Sequence, residues 1–454
     1  MADFNLTEVL KATGGQIINA GRRKLFKGIS TDTRSIETGN LFVALVGERF
    51  DGNEFAAQAV ANGATGLIVS KTVTVPDHVT VIQVTNTLAA LQSLARFHRQ
   101  RYSIPVIAVT GSNGKTTTKD MLAAVLSSKF KVLKTEANFN NEIGLPLTLL
   151  KLEASHEVAV VEMGMRSSGE IRELTEIALP TVGVVTNVGE THVEILGSIE
   201  NIAAAKAELV EAIGHDDVVV INADDPHVRN MQHKTPGRVV FFGLGSDAFV
   251  RAENITSGKN GELITTFDCC SARGSFSVEL QAVGMHNVYN ALAAIAVGWE
   301  LGLKPSEIQK GISNFVPGAM RFEIKKYGSY TVINDVYNAS PLSMAAALTT
   351  LANISQGRKI AVLGDMLELG DAAIEAHRKV GRQAAEQGVD SIITVGELAK
   401  HIAAAASEQG VKTTQSFSDH KAAIEALRSL IKPGDYILLK GSRGMKMETM
   451  LEAF

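Results

Sequence analysis

The sequence predicts an α/β protein of three domains. These are a small α/β domain over residues 1–102, a central domain with a mostly parallel sheet over 103–323, and a Rossmann-like domain over 324–454. Three observations carry that expectation. The 454 residues suffice for about three domains at roughly 150 residues each. Apolar runs of strand length recur between stretches of helical length, the pattern of parallel strands covered by helices. One run, Val106-Ile107-Ala108-Val109, opens into a small-residue turn, a lysine and a string of threonines.

Composition narrows the class. Hydrophobic residues at 45% and charged residues at 20% describe a globular chain with ample core. Lys plus Arg at 44 against Asp plus Glu at 48 leaves a net charge of −4, too balanced to point to nucleic acid or a membrane surface. The two cysteines, adjacent Cys269 and Cys270, offer no disulfide framework and fit a reducing cytoplasm. Asp3 and Glu8 interrupt the N-terminus against a signal peptide. Apolar runs such as Ala291 to Trp299 are too short to cross a bilayer. The expectation is a cytoplasmic protein without nucleic-acid partners or membrane insertion.

In the first domain, strands are expected at Leu41–Leu45, Gly66–Val69 and Val81–Val84, with helices at Phe55–Ala61 and from Asn86 to Tyr102. Two polar stretches stand out, Ser30-Thr31-Asp32-Thr33-Arg34 and Gly47-Glu48-Arg49-Phe50-Asp51-Gly52. Hydroxyls beside an arginine can hold a diphosphate, and they serve equally well in turns and caps.

The central domain begins after Ser103-Ile104-Pro105. Its first strand runs into Thr110-Gly111-Ser112-Asn113-Gly114-Lys115-Thr116-Thr117, and Thr118, Leu122, Val125 and Leu126 then share a helical face. This is the strand, loop and helix of a P-loop-type ATPase domain. Glycines let backbone N–H groups face an anion, and the helix N-terminus adds partial positive charge. Lys115 reaches terminal phosphates and Thr116 offers a hydroxyl to magnesium. Val109 stands where the strict Walker pattern has glycine. Further strands end at Glu162, at Val185 before Thr186-Asn187 and His192, and at Ile221 before Asn222-Ala223-Asp224. Ligands of open α/β sheets sit beyond strand carboxyl ends. Glu162 and His192 therefore share a rim with the phosphate loop, as magnesium-associated groups or as strand-end caps. In the helix from Ser198 to Ile213, Lys206 interrupts the apolar stripe of Ile199, Ile202, Leu209 and Ile213. It either snorkels to an edge or is placed for chemistry. Two β runs follow, Leu263–Phe267 and Ser275–Leu280, the first preceded by a turn at Gly258-Lys259-Asn260-Gly261. Asn287 is expected to cap the next helix.

The last domain alternates strands at Thr331–Asn334, Ile360–Leu363, Ser391–Val395 and Tyr436–Leu439 with helices. No Gly-x-Gly-x-x-Gly follows any of them, so no nicotinamide cofactor is expected. The strand ends carry Asp335-Val336-Tyr337-Asn338-Ala339-Ser340-Pro341, Gly364-Asp365-Met366-Leu367-Glu368 and Lys440-Gly441-Ser442-Arg443.

The stretch from Thr110 to Thr117 resembles the ATP loop of the Mur ligases, the amide-forming enzymes of peptidoglycan precursor assembly. The similarity extends through Asn138-Phe139-Asn140-Asn141-Glu142-Ile143-Gly144, Glu162-Met163-Gly164, Asn187-Val188-Gly189 with His192, and Ala205-Lys206. It continues in His286-Asn287-Val288-Tyr289-Asn290, Arg321 and Asp335 to Pro341. The three C-terminal strand ends are most similar to the branch that adds D-alanyl-D-alanine to UDP-N-acetylmuramoyl-tripeptide. Ser340 stands where asparagine is frequent. The Asp-Asn-Pro-Arg stretch of the ligase acting one step earlier is missing.

The resemblance implies a cytoplasmic monomer in which ATP activates a peptide carboxylate as an acyl phosphate, assisted by two magnesium ions. It assigns Gly111, Ser112, Asn113, Gly114, Lys115, Thr116, Thr117, Asn287, Asn290, Arg321 and Asp335 to ATP. Thr116 and Glu162 would hold one ion, His192 and a carbamylated Lys206 the other. Asn338 would place the acceptor. Substrate contacts would come from Ser30, Thr31, Arg34, Gly47, Arg49 and Asp51, from Asn138, Asn140 and Asn141, and from Lys440, Ser442 and Arg443. The alternatives are a folylpolyglutamate synthetase of the same fold, separated by a nucleotide-sugar binding test, and a non-catalytic nucleotide switch, separated by acceptor-dependent phosphate release.

Overall fold

The computed structural model describes residues 2–258 and 263–454. Its architecture is mixed α/β, with helices packed on sheets that are largely parallel. The central sheet has nine strands. In spatial order they are Gly274–Leu280, Thr265–Ser271, Val250–Ser257, Arg238–Gly243, Val218–Asn222, Val182–Val185, Val106–Thr110, Val158–Glu162 and Val132–Lys134. Pairing is parallel from Val132 as far as Val250 and antiparallel over the last three strands.

Every residue of Val106–Thr110 is buried, because helices cover both faces, and this is why the strand reads as an unbroken aliphatic run. Its side chains divide by the two-residue period. Ile107 and Val109 pack with Leu122, Val125, Leu292 and Ile308 on one face. Val106 and Ala108 pack with Leu145, Leu174 and Ile202 on the other. That second core continues without a break into Phe4, Leu41 and Leu91 of the N-terminal domain. The N-terminal domain is thus fixed to the central one through the helix Thr87–Arg99. Buried Arg99 there donates from Nε to Ala178 O at 3.0 Å.

The C-terminal sheet runs Glu323–Tyr327, Tyr330–Asp335, Tyr436–Lys440, Lys359–Gly364, Ser391–Val395 and Thr413–Phe417. It is parallel after the first pair. The strand order reverses between Tyr436–Lys440 and its neighbours, so the carboxyl ends at Asp335, Lys440 and Gly364 frame a crevice.

Strands that no apolar run announces lie mostly at edges, as Gln16–Ala20, Val132–Lys134, Glu323–Tyr327 and Thr413–Phe417 do. An edge strand has one partner and an exposed flank, so its sequence stays polar. The cap expected of Asn287 is not observed. Gly284 caps the helix Met285–Glu300, and Asn287, inside its first turn, donates from Nδ2 to Val283 O at 2.8 Å. Of the turn expected at 258–261, residues 259–261 lie outside the described residues. Among the described residues no helix is long and apolar enough to cross a membrane.

The helix Lys115–Leu126 is pressed from behind by the helix Pro305–Ser313. A Cβ at Gly311 would stand 2.4 Å from Val125 Cα and 2.8 Å from Ala124 O. Gly311→Ala must therefore move backbone, and overpacking of this kind costs about 1–3 kcal/mol. Chemical denaturation should show that loss, with weaker nucleotide binding because the displaced helix carries the phosphate loop.

Candidate active site

The phosphate loop follows the strand Val106–Thr110, whose parallel neighbours end at Glu162 and Val185. Gly111 has φ +148°, and a Cβ there would fall 1.9 Å from Thr186 Oγ1. Gly114 has φ +80°, and its Cβ would meet Asn290 Oδ1 at 2.6 Å. Neither position admits a side chain. The loop is clamped by the segment after the neighbouring strand. Ser112 N donates to Asn187 O at 2.9 Å, and Asn113 N donates to Asn187 Oδ1 at 2.9 Å. Thr186 Oγ1 and Asn187 Nδ2 both donate to Asn113 O, at 2.7 and 3.0 Å. Ser112 Oγ exchanges hydrogen bonds with Gly189.

Lys115 folds over this loop, donating from Nζ to Gly111 O at 2.7 Å and Ser112 O at 3.3 Å. Burial lowers its pKa, against the opposing pull of Glu162. Thr116 Oγ1 accepts from Arg321 Nη2 at 2.8 Å. The Arg321 guanidinium lies 3.9 Å over the Tyr337 ring.

Glu162 is 2% exposed. Its Oε1 accepts from Asn140 Nδ2 at 2.7 Å, while Oε2 is buried without a partner. His192 sits at φ +57°. Its Nδ1 is 2.6 Å from Glu368 Oε2 but outside hydrogen-bond geometry. Burial lowers the His192 pKa, Glu368 opposes that shift, and the charges of Lys206 and Lys115 add to it. Lys206 is 2% exposed in the middle of the helix Ile199–Glu211, with Ile202 and Leu209 wholly buried beside it. It therefore does not snorkel to solvent. Burial, reinforced by the Lys115 charge, holds its pKa well below the lysine range.

A cavity of about 640 Å³ opens at this rim. Residues 112–117, Asn140, Glu162, Asn287, Asn290 and Arg321 line it from the central side, and Asp335, Asn338 and Lys440 from the C-terminal sheet. His192 and Lys206 are not part of its wall, although the Lys115 charge reaches both. Lys440 is 2% exposed and turns inward. Its Nζ donates to Asp335 Oδ2 at 2.6 Å and Asn338 O at 3.0 Å, so it braces the loop that carries those residues. Ser442 Oγ accepts from Leu367 N at 2.9 Å, and Arg443 pairs with Glu448 at 2.8 Å. Neither of those lines the cavity. Asn138 is exposed, and Asn141 Oδ1 caps Gly144 N at 2.9 Å.

The N-terminal candidates stand apart from this cavity. Ser30 Oγ donates to Asp32 O, and Arg34 is paired with Asp32 through Nη2 at 2.6 Å. Asp51 pairs with Lys71 at 2.5 Å, and Gly47 N donates to Phe50 O in a tight turn with Arg49 exposed. Asn187, Tyr337, Tyr289 and Asp224 are site features that the sequence shows only within longer stretches, with no role assigned to them. Tyr289 OH donates to Asp224 Oδ2 at 2.9 Å, and both line the cavity. The signal for Asp224 was its place just beyond a strand end.

Family models match most of the chain: the Mur ligase family catalytic domain over residues 25–99, the Mur ligase middle domain over 109–298 and the Mur ligase glutamate ligase domain over 320–443. The chain is 40% identical over 456 residues to the UDP-N-acetylmuramoyl-tripeptide–D-alanyl-D-alanine ligase of Bacillus subtilis, covering 99% of this chain and 97% of that one. A solved MurF from Acinetobacter baumannii superposes with a TM-score of 0.93 at 34% identity, over 100% of this chain and 98% of that one. MurF ligase from Thermotoga maritima, solved in complex with ADP, gives 0.85 at 29% identity, over 94% and 97%. With the three domain models in sequence and relatives matched end to end, the chain belongs to the Mur ligase family.

Proposed function

We propose that this chain is the ATP-dependent, ADP-forming ligase that joins D-alanyl-D-alanine to UDP-N-acetylmuramoyl-tripeptide in cytoplasmic peptidoglycan precursor synthesis, acting as a monomer. The observation that carries this reading is a single cavity walled by a phosphate loop on one side and by the Asp335–Asn338 loop on the other. Relatives of near-equal length bear that ligase name. In the reaction, the γ-phosphoryl group of ATP passes to the tripeptide carboxylate, giving an acyl phosphate and ADP. The dipeptide amine attacks the acyl carbon, and the tetrahedral intermediate expels inorganic phosphate to leave the amide.

Phosphoryl transfer needs positioning and charge neutralisation more than a protein nucleophile. Lys115, now satisfied by loop carbonyls, exchanges them for β- and γ-phosphate oxygens. Gly114 to Thr117 present backbone N–H groups at the helix start, Gly111, Ser112 and Asn113 form the turn that aims them, and Asn287, Asn290, Arg321 and Asp335 complete the nucleotide side. Asn338 orients the acceptor, with Lys440 bracing it from behind. Ser442 and Arg443 act at the same strand end, and Asn138 and Asn141 belong to the segment that presents Asn140. In the N-terminal domain, Ser30, Thr31, Arg34, Gly47, Arg49 and Asp51 hold the uridine nucleotide. Arg34 must then trade Asp32 for a diphosphate oxygen.

The donors fit magnesium. A buried carboxylate oxygen without a partner on Glu162 is a hard ligand of the kind this ion prefers, and Thr116 adds a hydroxyl. Bound magnesium would neutralise charge between the β- and γ-phosphates. Among the described residues no three His, Cys, Asp or Glu side chains form a ready metal cluster. His192 has one carboxylate beside it, Glu368 at 2.6 Å, so a second ion there calls for a further anion. Lys206 supplies one as a carbamate: its neutral amine adds carbon dioxide, forming an N–C bond and releasing a proton. The depressed Lys206 pKa raises the share of neutral amine.

Lys115→Ala should lower turnover on the order of a hundredfold or more with an unchanged melting temperature, measured as ADP release. At equal concentrations of acceptor, D-alanyl-D-alanine should release phosphate faster than diaminopimelate or lysine; the reverse order would move the assignment one step back in the pathway. Lys206→Ala should lose activity and regain part of it with an added short-chain carboxylic acid. Wild-type activity before the addition would rule out the carbamate as a requirement.

A further inference from the structure

Lys119 is a buried cation that the chemistry above leaves unused. It is 2% exposed, on the same helix as Thr116 and three residues beyond it. Its Nζ donates to Thr135 O at 2.8 Å and stands 3.4 Å from Asp120 Oδ1. Asp120 is shared with Lys134, at 2.7 Å. An ammonium held by a neutral carbonyl and a share of one carboxylate is costly to bury, and a methionine of similar length would fill the space without that cost. Stability alone is therefore a poor account of a lysine here.

The position of Thr135 supplies a better one. Thr135 is wholly buried, its N donates to Val160 O at 3.0 Å, and its Oγ1 accepts from Glu162 N at 3.1 Å. From Thr135 the chain passes through Ala137, held at φ +46°, to Asn140, whose Nδ2 grips Glu162 Oε1 at 2.7 Å. Asn140 O accepts in turn from Gly164 N at 2.8 Å. The segment Thr135–Asn140 therefore holds Glu162 by both backbone and carboxylate. It follows an edge strand, Val132–Lys134, with one neighbour in the sheet. Lys119 ties this segment to the phosphate-loop helix.

We propose that Lys119 is a positioning residue for the metal-side carboxylate. Through Thr135 it fixes Glu162 relative to Thr116, because both are then referred to one helix. The inference rests on the magnesium reading of Glu162 and Thr116 given above, and adds to it the element that sets their separation. Residues that orient ligands from behind in this way typically change metal affinity by roughly ten- to a hundredfold when replaced.

The test is calorimetric binding of a non-hydrolysable ATP analogue, titrated with magnesium, to wild type, K119M, T135V, the double variant and E162Q. In K119M the magnesium concentration for half-maximal tightening should rise about tenfold, with metal-free nucleotide affinity within about twofold of wild type. T135V, which keeps shape and loses the hydroxyl, should shift in the same direction. The double variant should add less than the sum of the two, since both cut one chain of contacts. T135V carries the test alone if K119M fails to fold. A wild-type magnesium titration in the folded Lys119 or Thr135 variant, beside a shifted E162Q, overturns the inference and leaves the magnesium reading standing. A wild-type titration for E162Q overturns both.

Discussion

The clamp between the phosphate loop and the segment Thr186–Gly189 is the constraint on which the rest depends. Backbone and side-chain groups of Ser112 and Asn113 are closed off by Asn187, Thr186 and Gly189. A loop so tightly paired leaves no room for a Cβ at Gly111. It also fixes where the following helix begins, and with it Lys115, Thr116 and Lys119. Loops are usually the mobile part of an α/β protein; here the neighbouring strand end makes the loop part of the scaffold.

Electrostatics then set what the cavity receives. Lys206 is buried and Lys115 partly buried at the cavity wall, each depresses the protonation of groups near it, and Glu162 is the carboxylate that offsets Lys115. Lys115 spends its donors on loop carbonyls, and Glu162 leaves an oxygen unsatisfied. Both groups line the same cavity, and buried charges are tolerated when paired.

The C-terminal domain reaches into this site at separate points. Ser340 Oγ donates to Asn113 Oδ1 at 3.0 Å, and Glu368 approaches His192 at 2.6 Å. Glu194 N donates to Glu368 O at 3.4 Å. The Glu368 turn is itself anchored, with Met366 N on His377 Nε2 and Leu367 N on Ser442 Oγ. Ser442, expected at the substrate, thus shapes a turn that meets the central domain. Lys440 likewise supports Asp335 and Asn338 from beneath. Residues of one sequence motif divide between those that face the cavity and those that hold it in place.

The sequence by itself determined the fold class, the phosphate loop and the family resemblance, because those depend on local patterns. Strands buried on both faces must be aliphatic, tight turns must be glycine, and a helix start must follow the loop. Lys206 was legible as unusual, since a charge breaking an apolar stripe is visible in a period of 3.6. Its burial was decided only by tertiary structure, through the packing of Ile202 and Leu209 against the sheet. The edge strands, the inward turn of Lys440 and the loss of the cap expected at Asn287 were likewise settled by neighbours far along the chain. The same holds for the clamp at Asn187 and the tie from Lys119 to Thr135. A side chain's partner across 16 or 74 positions leaves no periodic trace, because periodicity records which face a residue lies on and not what it touches there.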